Sequence, residues 1–393
     1  MENLEDILSG RSTARADSKP IFFNLEKDVD RDTLSSFFSE SKIQHVVDEY
    51  REQQLELFQV NNPTLVYSPD FTDQFQAYWK QFNGSVAFRH GVWVFFPWIS
   101  TLVHILNEED FFRVRTARNR YLVNEEEQKA FYDATIGIGG LSVGNSVALS
   151  LVLQGGARKL RLADHDNLAL SNLNRIRAGV EFLGLPKVLM AARQIYSLNP
   201  YSEIEIFPEG ITPDNIGSFC DGLDVLVDEI DTIGIKLLLR EEARKRKLPI
   251  VMGADNGDNA IIDIERHDFD PQTPFFHGMI GEPTYEELIK LDKFGIGRVI
   301  TQMLGPENIT IRMQESLLAM GKTIVSWPQL GDAALLNGIG VAYCIRKITT
   351  HQSLEKERAL LSLDDKLDAE FHTPEQEKKR RDASGEFKKM LGL

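Results

Sequence analysis

The middle of the chain alternates short continuous apolar runs with segments whose apolar residues recur every three or four positions. The runs predict strands at 135–138, 224–227 and 249–252, the alternating segments 159–163 and 203–207 predict two more, and the periodic segments predict helices at 146–154, 187–197, 213–220 and 233–247. Strands separated by helices of this length build a doubly wound, mainly parallel α/β sheet. One more strand is expected at 260–265. An irregular crossover over 268–282, helical pieces over 284–320 and a long apolar helix over 333–349 follow. Upstream, residues 32–58 read as helical and 86–96 as a hairpin turning at Arg89, His90 and Gly91, which makes 21–110 a small α+β domain. Its Phe88, Trp93, Phe95, Phe96 and Trp98 suit the core of that domain, or alternatively a groove. Residues 1–20 read as a flexible N-terminus and 351–393 as a charged, partly helical tail, leaving 111–350 as the main domain.

Chemistry concentrates between positions 135 and 187. The first core strand runs into Gly137, Gly139 and Gly140, where missing Cβ atoms permit a tight turn and close approach of backbone to a phosphate. The apolar helix that follows directs its amides and positive dipole end at an anion. The next strand delivers Asp164 at its C-terminal end, where a carboxylate accepts from ribose hydroxyls. Taken alone the glycine loop is weak, because the sixth position of a Gly-x-Gly-x-x-Gly pattern is Ser142, and a structural turn explains it equally well. Three downstream segments occur with it in order: Asp164-His-Asp166, Ser171-Asn-Leu-Asn-Arg175 and Pro186-Lys187.

As a set these motifs resemble the ATP-binding core of the ThiF/MoeB/ubiquitin-activating superfamily, over roughly residues 112–350. The wording is most similar to bacterial ThiF-like domains often found beside a nitroreductase-like domain, for which this chain length leaves no room. The resemblance implies a Rossmann-like fold and an adenylyltransferase that uses ATP and Mg²⁺ to activate a carboxylate, on a protein, a peptide C-terminus or a small molecule, as an acyl-adenylate. It assigns ribose contact to Asp164, a supporting place to Asp166 and phosphate contacts to Asn172, Arg175 and Lys187. Asp231, in Asp228-Glu-Ile-Asp231-Thr232, stands at the family's metal-binding aspartate, a single carboxylate that suits Mg²⁺ alongside phosphate oxygens. Thr232 replaces the usual asparagine and Lys236 the common arginine, which puts local phosphate or substrate contacts in doubt. Arg118, in Arg115-Thr-Ala-Arg118-Asn119, matches an arginine that crosses to the other subunit's ATP, implying a homodimer, although Asn119 replaces the usual glutamine. A nitroreductase-like flavoprotein joins the candidate partners. Two other readings stay open: a non-catalytic ThiF-like subunit binding a nucleotide or partner, and an NAD- or FAD-dependent oxidoreductase using the same glycine turn.

The net charge of −15 argues against general binding to nucleic acid or anionic membranes, both of which need a basic surface. The basic run Lys378 to Arg381 reads as a solvated helix face. No run of 18 apolar residues occurs and the first residues are acidic, so a cytoplasmic protein is expected. Only two cysteines, Cys220 and Cys344, occur, both in apolar helical contexts; no zinc and no thioester-forming thiol are expected. His165 and His277 are the histidines nearest the motifs, the second in the crossover expected to cover the substrate channel.

Overall fold

The computed structural model describes residues 17–393 apart from Asn83, and no side chain from 84 to 86; the flexible N-terminus expected at 1–20 therefore falls mostly outside the described residues. The chain divides into two compact units, Met1–Glu126 with Tyr196–Tyr201, and Glu127–Ile195 with Ser202–Leu393.

The first unit holds a four-stranded sheet of β1 (Ile21–Phe23), β2 (His45–Asp48), β3 (Val92–Phe96) and β4 (Thr101–Ile105), in the order β1-β3-β4-β2. The window expected to be helical at 32–58 is two helices, Asp28–Ser39 and Tyr50–Asn61, with β2 between them. Ser41 turns left-handed at φ 57°, and the amides of Gln44 and His45 both donate to the Ser100 carbonyl, which starts β2 alongside β4. The hairpin also differs from expectation. Gly84–Arg89 forms a 3₁₀ helix, and β3 returns as β4 through Pro97–Ile99 and a left-handed Ser100. Trp93 and Phe95 pack in the core with Phe23, Leu34 and Leu102. His104 is buried between the stacked rings of Tyr50 and Trp93, 4.1 and 4.3 Å away, and its two ring nitrogens face Asp48 and the His90 carbonyl.

The second unit is built on a seven-stranded sheet: β5 (Thr135–Gly139), β6 (Lys159–Ala163), β7 (Glu203–Phe207), β8 (Val225–Asp228), β9 (Pro249–Asn256), β10 (Asn259–Arg266) and β11 (Arg358–Leu361). Its order is β11-β10-β9-β8-β5-β6-β7; β7 to β9 run parallel, and β10 and β11 are antiparallel additions. Ile136, Ile138, Val225, Leu226 and Val227 are fully buried, as continuous apolar runs in a sheet covered on both faces require. From β5 the chain winds outward to β7 and then returns to β8 on the other side of β5, so a crevice opens beyond the C-terminal ends of β5 and β8.

Boundaries shift where local hydrogen bonds outcompete the helix. Thr212 and Asn215 exchange side-chain-to-amide bonds of 2.8 and 3.3 Å, so the helix expected at 213–220 starts only at Ile216–Cys220. The glycine-loop helix begins earlier than expected, at Val143–Leu153. The tail does more than trail from the domain. β11 completes the sheet, and helix Pro374–Leu391 sends Phe387 and Leu391 into a core with Ile233, Met252 and Met303. No described helix is long and apolar enough to cross a membrane.

Candidate functional site

Gly140 makes the turn after β5 at φ +84°, and a Cβ there would lie 2.2 Å from the Glu229 carbonyl oxygen. Gly137 and Gly139 sit within β5, where Cβ atoms would meet Leu223 at 2.4 Å and Ile211 and Ile230 at 2.8 Å. Close packing of the turn against its own unit accounts for all three missing side chains. Beyond the turn, Val143–Leu153 begins with no side-chain cap, because the Ser142 hydroxyl instead accepts from Arg175 Nε at 2.9 Å. Its first amides are left available to an anion.

Asp164 ends β6 and is almost fully buried. One oxygen accepts from the Leu141 amide at 2.7 Å and the other from the Asp166 amide at 2.8 Å, so this residue ties the glycine turn to β6. Lys187, at the start of helix Lys187–Leu198, is buried with its ammonium 2.8 Å from Asp166 and 3.8 Å from Asp164. That bond to Lys187 holds the Asp166 carboxyl below the usual range. Among the described residues, Asp164, His165 and Asp166 are the one group of three whose donor atoms lie close enough for a metal ion. The Lys187 ammonium already pairs with the two carboxylates, offsetting one of their two charges.

A cleft of about 510 Å³ lies at the crevice between β5 and β8, lined by Ser142, Asn172, Arg175, Asp231, Lys236 and the end of β9 among others. Asn172 is fixed by accepting from the Ala169 amide at 2.9 Å. Arg175 also donates to Asn174 and to the Ser171 carbonyl; partial burial lowers its guanidinium pKa while Asp255 and Asp231 oppose the shift. Asp231 has no hydrogen-bond partner among the described residues. Its carboxyl is open to the cleft yet walled by protein on the other sides, and this burial raises its pKa against the pull of Lys236, Lys187 and Arg175. A concave site produces both effects at once, since water reaches the carboxylate but cannot surround it. An unpartnered carboxylate facing cations and a cleft fits a divalent cation whose other ligands come from phosphate and water.

Lys236 is held by Asp228 at 3.1 Å, and Asp228 in turn by Arg240 at 2.6 Å, with Arg240 reaching on to Glu265 at 2.6 Å. Burial alone would raise Asp228, but Lys236 and Arg240 outweigh it and hold the carboxyl low. Glu229 lines the same cleft, accepts from the Gly253 amide at 2.9 Å, and is pushed well above the carboxylate range by burial. Asp255, at the end of β9, also lines it and is raised to about 6 by burial. Sequence reasoning missed Glu229 and Asp255; the signal available was their place at C-terminal ends of predicted parallel strands.

Other expected residues lie elsewhere. Arg118 is exposed on the 3₁₀ helix Ala117–Asn119 of the first unit. His165 is exposed, 3.5 Å from Asp166. His277 does not line the cleft; it pairs with Asp263 at 3.0 Å and Glu357 at 3.4 Å, and the Asp263 bond raises its pKa. Cys220 and Cys344 are buried away from the cleft, with thiols pushed up to about 12 and about 11.

A doubly wound sheet with a glycine turn, a free helix N-terminus and clustered cations at its switch point defines a Rossmann-like nucleotide-binding class. Residues 116–305 match the model of the ThiF family. The chain is 35% identical over 276 residues to an uncharacterized protein of Mycobacterium tuberculosis, an alignment covering 70% of this chain and 38% of that one. It is 29% identical over 163 residues to the tRNA threonylcarbamoyladenosine dehydratase of Bacillus subtilis, covering 39% and 64%. The chain thus spans less than two thirds of the length of either relative. The solved structure of the E. coli tRNA N6-threonylcarbamoyladenosine dehydratase in complex with ATP aligns with a TM-score of 0.44 and 18% identity, covering 63% of this chain and 97% of that one.

Proposed function

We propose that the cleft adenylates a carboxylate with ATP. The observation that carries this reading is the convergence of Arg175, Lys236 and the unpartnered Asp231 on one cleft, beside the uncapped start of Val143–Leu153. A dinucleotide-dependent hydride transfer has no use for such a set, whereas displacement at an α-phosphorus needs cations around the phosphates. In the reaction the substrate carboxylate oxygen bonds to the α-phosphorus as the bond to pyrophosphate breaks. Arg175, Lys187 and Lys236 offset charge on the transferring and leaving groups, Asn172 and the helix amides orient them, and Asp164 faces the ribose. Asp231 would hold Mg²⁺, which when bound screens the phosphate charge. An adjoining cleft of about 650 Å³, which shares Arg175 and Trp327 with the first, takes the body of the carboxylate substrate. The same reading includes a cytoplasmic homodimer in which Arg118 of one copy serves the nucleotide of the other, and a nitroreductase-like flavoprotein among its partners.

ATP with Mg²⁺ at about a hundred times its dissociation constant is expected to stabilise the fold by about 2.7 kcal/mol, a rise in melting temperature on the order of 3–5 °C. NAD and FAD should give much smaller shifts. Equal stabilisation by the dinucleotides would replace adenylation by the oxidoreductase reading. With a competent carboxylate, labelled pyrophosphate should exchange into ATP. Because both thiols are buried and raised, Cys220→Ala combined with Cys344→Ala should leave exchange and overall turnover within about tenfold of wild type, ~1.4 kcal/mol in barrier terms. Retained exchange with lost turnover would assign one thiol a step after adenylation.

A further inference from the structure

Most buried acids in the second unit are paired with bases; the two exceptions, Glu229 and Asp255, both line the cleft, Glu229 accepting from the Gly253 amide, and it is Asp255 that bears on the ligand. Asp228 meets Lys236 and Arg240, Glu265 meets Arg240, and Asp263 meets Arg358 and His277. Asp255 is only 6% exposed, yet no described cation lies within ion-pair distance of it. Its two partners are neutral amides, Gln329 Nε2 at 3.1 Å and Asn337 Nδ2. Arg175 acts on it only through space; its Nε donates to Ser142 and its Nη1 to Ser171 and Asn174. A carboxylate withdrawn from water without a counter-charge is unfavourable, and the fold pairs Asp164, Asp228, Asp263 and Glu265 with bases. Asp255 therefore stands ready for a cation supplied from the cleft that it lines.

The chemistry around it selects which cation. Asn337 and Gln329 turn N–H donors, not oxygens, toward Asp255, whereas a divalent metal needs several oxygen ligands converging on one point. A single ammonium needs only the remaining lone pairs of one carboxylate. Ile300, Met303 and Leu304 supply apolar surface in the same cleft for the methylenes that would carry it. Resting on the adenylation reading, we propose that Asp255 is the counter-ion of an ammonium group on the carboxylate substrate, so that the site activates an amino-acid-like or aminoacyl-ended carboxylate in preference to a neutral one.

The test uses stable mimics of the acyl-adenylate, adenosine 5′-N-acylsulfamates, on the full-length protein. Glycyl, 3-aminopropanoyl and 4-aminobutanoyl derivatives are each paired with the isostere in which a methyl replaces the ammonium, and affinities are measured by calorimetry beside AMP. In at least one pair the ammonium member should bind about tenfold or more tighter, as a charge-assisted bond in a buried site provides. Asp255→Asn should bring that ratio close to unity, and Asp255→Glu should restore it. Equal affinity within every wild-type pair while AMP binds, or a preference that survives Asp255→Asn, overturns the proposal and leaves the nucleotide site standing. Propylamine tightening a neutral analogue without any preference within the pairs would overturn it in favour of an amine nucleophile. Failure of AMP and all analogues to bind removes the adenylation reading, and this inference with it.

Discussion

Arg240→Ala is expected to lower the unfolding free energy by about 3–5 kcal/mol, the range found when one partner of a buried ion pair is deleted. Arg240 is fully buried, bridges Asp228 and Glu265 with two bonds of 2.6 Å, and lays its guanidinium 3.7 Å over the Phe276 ring. Removing it leaves Glu265 with only the His267 ring nitrogen 3.3 Å from its other oxygen, and Asp228 with Lys236 as its one cation beside the Ile230 amide. The loss should read as a lower urea midpoint at unchanged m-value, since the compactness of the native state is not at issue. Its pH dependence follows from Asp228, whose folded-state pKa is depressed. That contribution is present above the unfolded-state pKa and is lost as pH falls through the folded one, so acid should narrow the gap between variant and wild type. A loss below about 1 kcal/mol at neutral pH would mean that the acids neutralise themselves, and Arg240 would then not be what holds Asp228, and through it Lys236, in place.

That network also marks where sequence reading reached its limit. Strands β5 and β8 were legible because strands buried on both faces read as largely apolar runs; the roles expected of Arg175, Lys187 and Asp231 came from the family resemblance of short contiguous motifs, and of the three Arg175 and Asp231 line the cleft. β2 was not: all four of its residues are exposed, so this edge strand carries no alternation to detect within a polar window. β11 and the last helix hide in charged sequence for a related reason, since Phe387 and Leu391 alone mark the buried face amid lysines and glutamates. Asp255 and Lys236 share a cleft only because β9 lies next to β8, and the amides that fix Asp255 come from Gln329 and Asn337, over seventy residues downstream. Such convergence is a property of sheet order, which local periodicity does not encode. His277 illustrates the opposite error: proximity to the crossover suggested the substrate channel, while Asp263 and Glu357 draw its ring to the β10–β11 edge.

Asp231→Ala should reduce pyrophosphate exchange by roughly 10³-fold or more, because it deletes the one carboxylate proposed to hold the cation beside the phosphates, an effect worth several kcal/mol. The fold should survive the change. Asp231 makes no hydrogen bond to the described protein and sits open to the cleft, so the variant's unfolding free energy should change by no more than about 0.5 kcal/mol, as is typical of surface sites. Loss of exchange with an intact fold therefore separates chemistry from stability, which Arg240→Ala cannot do. Raising Mg²⁺ should not rescue the alanine variant, whereas Asp231→Glu should retain part of the activity with a higher Mg²⁺ requirement, since the longer carboxylate keeps the ligand but misplaces it. Exchange that persists in Asp231→Ala at wild-type Mg²⁺ dependence would remove Asp231 from the metal site and shift attention to Asp164 and Asp166, whose carboxylates share the single charge of Lys187.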